Sequence, residues 1–116
     1  METIKSYTDL EQSKKLAEIL PFESADMIYT MVNGRCTPFI RIETIEEMDE
    51  DDVLCWSLAA LFGTLPLINF TRPLLIGTPK TLYKCMYNDD LKSHAYDNLV
   101  DACVAMIEKL QELKML

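Results

Sequence analysis

Glycine and histidine are scarce in this sequence: three of the first and one of the second. Gly34, Gly63 and Gly77 stand apart from one another, so neither a GxGxxG turn nor a Walker loop exists to cradle a phosphate. The single His94 and the widely dispersed Cys36, Cys55, Cys85 and Cys103 give no CxxC pair and no paired-ligand spacing for zinc. An EF-hand loop is missing too, because EEMDEDDVLCWS has neither the central glycine nor the closing glutamate that such a loop needs. With only one histidine, nucleophilic catalysis has one potential imidazole base; Cys85, nine residues before it, can pair with His94 if the strand end and the loop meet, a possibility that any cysteine and histidine in a chain this size offer.

Long apolar runs are also lacking. Val53–Trp56 and Leu58–Phe62, separated by Ser57, together span about half the length that a bilayer crossing demands. The opening stretch METIKSYTDLEQSKK has no basic region followed by an apolar one, so the expectation is a cytoplasmic protein without a membrane contact. In a reducing compartment the four cysteines are expected as free thiols packed like small apolar side chains. Lysine and arginine form no cluster that could track a phosphate backbone, which disfavours direct nucleic-acid binding.

What the chain does have is an unusual concentration of acid. Of its 19 aspartates and glutamates, seven lie in ETIEEMDEDD, residues 43–52, where no base occurs; the remaining 12 acids nearly balance the 11 bases. The net charge of −8 is therefore a local property. A surface imitating duplex phosphates needs carboxylates spread over many ångströms, whereas here one segment holds most of the excess. Glu46, Glu47, Asp49 and Glu50 are the candidate partner-binding residues, expected to face solvent. Asp51 and Asp52 are expected at the start of an apolar helix, beside its unpaired amides.

The 116 residues, 49% hydrophobic and 26% charged, suit one globular domain over 1–116. Thr8 and Glu11 have the spacing of a capping box, followed by Leu10, Leu16, Ala17 and Leu20 on one helical face until Pro21. MIYTMV and RCTPFIRI flank Asn33-Gly34, the strongest local signal for a hairpin, and place Met27, Tyr29 and Met31 on one face with Cys36, Pro38 and Ile40. Pro38 cannot donate to a ladder and marks an edge strand or a bulge. Thr44 and Glu47 allow a second capping box. Val53–Phe62 is apolar nearly all round, as a buried helix is, with Trp56 in the core and Ser57 bonded to the carbonyl one turn back. LINFTRPLLI (67–76) and TLYKCMY (81–87) predict a second hairpin around GTPK, weaker at Thr71 and Pro73. Asn98 caps a final helix with Leu99, Cys103, Met106, Leu110 and Leu113 in one stripe, widened by Val100, Val104 and Ile107. The predicted class is α+β, about four antiparallel strands and three helices in the order α-β-β-α-β-β-α.

SKKLAEILPFESADM (13–27), CWSLAALFGTLP (55–66) and YDNLVDACVAMIEKLQELKML (96–116) resemble an uncharacterised family of short proteins carried by phages and mobile elements of gut Bacteroidales. The resemblance implies an intracellular, accessory role through binding a host or element component, and it assigns no residue a catalytic part. The functional expectation is a non-enzymatic protein-interaction module with no cofactor and a partner not identified by sequence. The alternative is an acidic decoy that inhibits a nucleic-acid-binding protein, and a weaker one is a small hydrolase using Cys85 and His94.

Overall fold

The structure, a computed structural model, describes residues 5–41, 50–78 and 80–116. Asp9, not Thr8, caps the first helix: its carboxylate accepts from the Gln12 N–H at 2.8 Å while the Gln12 side chain accepts from the Asp9 N–H at 3.1 Å. The capping box predicted from Thr8 and Glu11 is thus displaced by one residue, and α1 runs Leu10–Ala17. It ends before Pro21, yet Leu16 and Leu20 are buried as the helical face predicted.

Strands β1 (Met27–Val32) and β2 (Arg35–Ile40) form the expected hairpin, in the expected register: Tyr29 pairs with Pro38 and Met31 with Cys36. Asn33 and Gly34 both adopt positive φ, 51° and 78°, which is the twist that a two-residue turn between right-twisted strands requires. After β2, the Arg41 guanidinium donates to the Phe22 and Ala25 carbonyls and stacks on the Phe22 ring at 4.1 Å, tying the hairpin's base to the turn after α1.

Val53–Cys55 is a strand, β3, antiparallel to β1, and the helix α2 begins only at Leu58 and ends at Thr64. A continuous apolar run does not distinguish a buried strand from a buried helix, and here the chain changes from one to the other at Trp56. Ser57 is the N-cap of α2, accepting from the Ala60 N–H at 3.2 Å rather than bonding back along a helix. Asp51 and Asp52 therefore precede a strand and lie away from a helix start. The carboxylate at the start of α2 is that of Asp26, which accepts from both the N–H and the hydroxyl of Ser57.

Strands β4 (Leu74–Thr78) and β5 (Leu82–Met86) make a second, two-stranded antiparallel sheet, shorter than 67–76 and 81–87 imply. Gly77 has φ 137°, and a Cβ there lies 2.0 Å from the Leu82 carbonyl oxygen, so only glycine allows this close crossing. The last helix, α3 (Leu99–Glu112), starts as predicted, with Asn98 accepting from the Asp101 N–H at 2.8 Å. It buries Val100, Cys103, Val104, Met106, Ile107 and Leu110, joined by Ala102; Leu113, predicted on the stripe, is the C-cap and exposed.

The protein is an α+β domain; the described residues form three α-helices and two small sheets of three and two strands, ordered β2-β1-β3 and β4-β5. α1, α2 and α3 share one core with Trp56 and the inner side of β5. Among the described residues, no helix is long and apolar enough to cross a membrane.

Candidate interaction surface

Glu46, Glu47 and Asp49 lie outside the described residues, as does the capping box proposed from Thr44 and Glu47. Glu50 and Asp51 are exposed in the turn that leads into β3, and Asp52 is half-buried. Among the described residues there is no group of three or more side chains from His, Cys, Asp and Glu placed to hold a metal ion.

Cys85 and His94 are not brought together as a dyad. Cys85 sits on β5 with its side chain buried against Cys103 of α3, whereas His94 is exposed. The Cys103 thiol is pushed up by its hydrogen bond to Cys85 and by burial, and it stays protonated. What joins the 92–94 segment to β5 is backbone and serine: the Ser93 hydroxyl accepts from the Cys85 N–H at 3.0 Å, and the Ser93 N–H donates to the Cys85 carbonyl at 2.8 Å. Cys55 and Cys103 are likewise buried, and Cys36 alone is exposed. In native protein one thiol is expected to react quickly with a disulfide reagent, and all four after denaturation without reductant. Two or fewer in the denatured protein rules out the free-thiol assignment.

A charged cluster connects the N-terminal segment to α3. Lys5 pairs with Asp101 at 2.7 Å and with Asp9 at 3.1 Å, while Gln12 and Asn98 donate to the same Asp101 carboxylate at 2.8 and 2.9 Å. Burial works against the Asp101 charge, but the bonds from Lys5, Gln12 and Asn98 outweigh it and hold the carboxyl below its ordinary range. Burial likewise opposes the charge on Lys5, and its bonds to Asp101 and Asp9 raise it above the ordinary lysine range. A lowered Asp101 contributes stability that is present above its ordinary value of 3.8 and is lost as the pH falls through the lower folded value. A raised Lys5 contributes stability that is present below 10.5 and is lost as the pH rises through the higher folded value. Denaturant unfolding at pH 3 and pH 7 is expected to give a smaller difference in Asp101→Asn than in wild type. An equal difference assigns the acid loss to other groups.

Among the described residues, the surface has one groove beyond the end of α1 and another along it. One, of about 640 Å³, lies between Leu20, Pro21, Ala60, Gly63 and the C-terminal Leu116, and is lined by no titrating side chain. The other, of about 530 Å³, lies between α1 and α3 and is charged, with Lys15 and Glu108 3.6 Å apart across it.

The more distinctive surface is the outer side of the β4–β5 sheet. Leu75 and Cys85 face inward, and alternation turns Leu74, Ile76 and Leu82 outward, where all three are exposed. In the loop before β4, Leu67 and Phe70 are exposed as well. Ile68 and Thr71 exchange backbone hydrogen bonds at 3.0 and 2.9 Å, which closes a turn with Asn69 and Phe70 at φ 51° and 62°. Positive φ is unfavourable for a bulky aromatic residue, and this turn holds the Phe70 side chain 99% exposed. Soluble surfaces tolerate isolated apolar residues; five within positions 67–82 form a concentration that the sequence reading passed over.

Charge singles out the same region. From Val53 to Asn88 the sequence has no aspartate or glutamate, yet it holds Arg72, Lys80 and Lys84. Among the described residues, none of these three makes an ion pair. That acid-free run was legible in the sequence beside its mirror image in 43–52. Compared with protein-family models, with curated proteins and with solved structures, the chain matches none.

Proposed function

We propose that the protein is a non-enzymatic protein-interaction module, accessory to a mobile element and acting in the cytoplasm without cofactor, membrane or direct nucleic-acid contact. The observation that carries the reading is the apolar surface of Leu67, Phe70, Leu74, Ile76 and Leu82, with a phenylalanine held outward on an unfavourable backbone. A side chain that contributes nothing to the core and occupies a costly conformation suits recognition. Affinity isolation from the native host, comparing wild type with Phe70→Ser/Leu74→Ser, tests it. The expected result is one protein that co-purifies with wild type and is lost with the folded double variant. Identical co-purification from both removes the support of this surface.

A second reading, the acidic decoy, draws on the exposure of Glu50 and Asp51. It places the contact on Glu46, Glu47, Asp49 and Glu50 and predicts association with a basic protein that weakens steeply with salt, since exposed charges are screened beyond about 8 Å at physiological ionic strength. Changing those four residues together to Gln or Asn is expected to remove that salt dependence if the decoy reading holds, and to leave co-purification intact if the β4–β5 surface is the contact.

A further inference from the structure

We propose that the outer edge of β4 takes up an extended segment of a partner protein as an added strand, and that this segment is apolar in its middle and carries Asp or Glu near both ends. The proposal rests on the protein-interaction reading and specifies its mode.

The edge is defined by hydrogen bonds on the other side of the sheet. Tyr83 exchanges backbone hydrogen bonds with Tyr96, both at 2.7 Å, and Cys85 is bonded to Ser93, so the polar backbone of these two residues points away from β4. In an antiparallel pair the residues opposite them, Gly77 and Leu75, then aim their own N–H and C=O groups away from β5. Among the described residues no strand pairs with that side of β4. The edge of β2 is open as well, but there Pro38 stands at a position whose missing N–H falls on the outer side, which blunts it against strand addition. β4 contains no proline.

Charge decides what the edge accepts. Arg72 precedes β4, Lys80 follows it, and Lys84 is paired with Ile76 across the sheet. These bases flank the five residues of β4, about 17 Å of strand at roughly 3.3 Å per residue. A second copy of this protein is disfavoured in either direction. Antiparallel pairing centred on Ile76 brings the Arg72 end of one β4 to the Lys80 end of the other, and parallel pairing in register brings like end to like end. A partner with carboxylates near both ends of its strand meets the same bases favourably, and its apolar side chains lie beside Leu74 and Ile76 on the outer face.

The probe is a displayed library of random nonapeptides, selected separately on the wild-type protein and on Arg72→Glu/Lys80→Glu, two exposed positions outside the core. Wild type is expected to enrich alternating apolar peptides ending in Asp or Glu, and the variant to enrich Lys or Arg at those ends. An enriched peptide resynthesised with alternate N-methyl amides, which cannot form the ladder, is expected to bind at least tenfold more weakly. Enrichment that ignores the charge reversal, or undiminished binding of the N-methylated peptide, overturns strand addition. So does a concentration-dependent dimer lost in the variant, or binding to phosphatidylserine vesicles without selection of any peptide. If the co-purifying host protein is lost with Phe70→Ser/Leu74→Ser yet kept with Arg72→Glu/Lys80→Glu, strand addition fails while the interaction reading stands; if both variants keep it, both fail.

Discussion

Replacing Trp56 by alanine is expected to lower the stability of the fold by about 3–5 kcal/mol, the range for removing a buried aromatic side chain and leaving a cavity. Trp56 is fully buried, its indole N–H donates to the Ser24 hydroxyl at 3.0 Å, and it sits where β3 passes into α2. Its ring belongs to the core shared with Leu16 of α1, Leu61 of α2 and the buried face of α3. Leu58→Ala is expected to cost only about 1–2 kcal/mol, because Leu58 is half-buried at the first turn of α2. Leu61 is the residue of α2 that lies wholly inside. Phe70→Ala supplies a control within about 0.5 kcal/mol of wild type, as an exposed side chain outside the core allows. Urea unfolding followed by circular dichroism measures all three. A loss below about 1 kcal/mol for Trp56→Ala, or water-like emission from this sole tryptophan in the folded protein, contradicts its place in the core.

The different fates of Trp56 and of its sequence neighbours explain what the sequence made legible. Burial follows from composition, and Trp56, Leu61 and the stripe of α3 are inside as their surroundings imply. Asn33-Gly34 specifies its hairpin because the turn geometry is local and few residue pairs satisfy it. Val53–Cys55 reads as helix in the sequence because its partner, β1, lies more than twenty positions earlier, and pairing over that distance leaves no periodic trace in three residues. For the same reason Asp26 was invisible as the carboxylate serving α2, and Asp51 and Asp52 took its place in the reading. The β4–β5 surface was missed differently. Leu74, Ile76 and Leu82 look like core by composition, and only the sheet's single covered face puts them outside.

Thr8 carries the other large expected effect, and its role is not the helix cap that its spacing from Glu11 implies. It is wholly buried, and its hydroxyl meets the Ser13 hydroxyl at 2.7 Å, accepts from the Trp56 N–H at 3.2 Å and donates to the Cys55 sulfur at 3.6 Å. The Thr8 backbone is engaged too: its N–H donates to the Trp56 carbonyl at 2.9 Å, and its carbonyl accepts from the Tyr29 hydroxyl at 2.7 Å. Burial pushes the Tyr29 and Cys55 groups up, so both remain protonated donors in this knot. Thr8→Val keeps the shape and removes one oxygen, leaving the Trp56 N–H buried without its acceptor and the Ser13 hydroxyl without its hydroxyl partner. Each orphan costs about 1–3 kcal/mol, and the expected loss is about 2–4 kcal/mol. Thr8→Ser, which keeps the oxygen, is expected to recover most of it. In Thr8→Val/Ser13→Ala one of the two orphans is gone, so the double variant is expected to lose less than the sum of the single losses. Strictly additive losses in that cycle, or a Thr8→Val protein as stable as wild type, show that the N-terminal segment is held to β3 by its backbone alone.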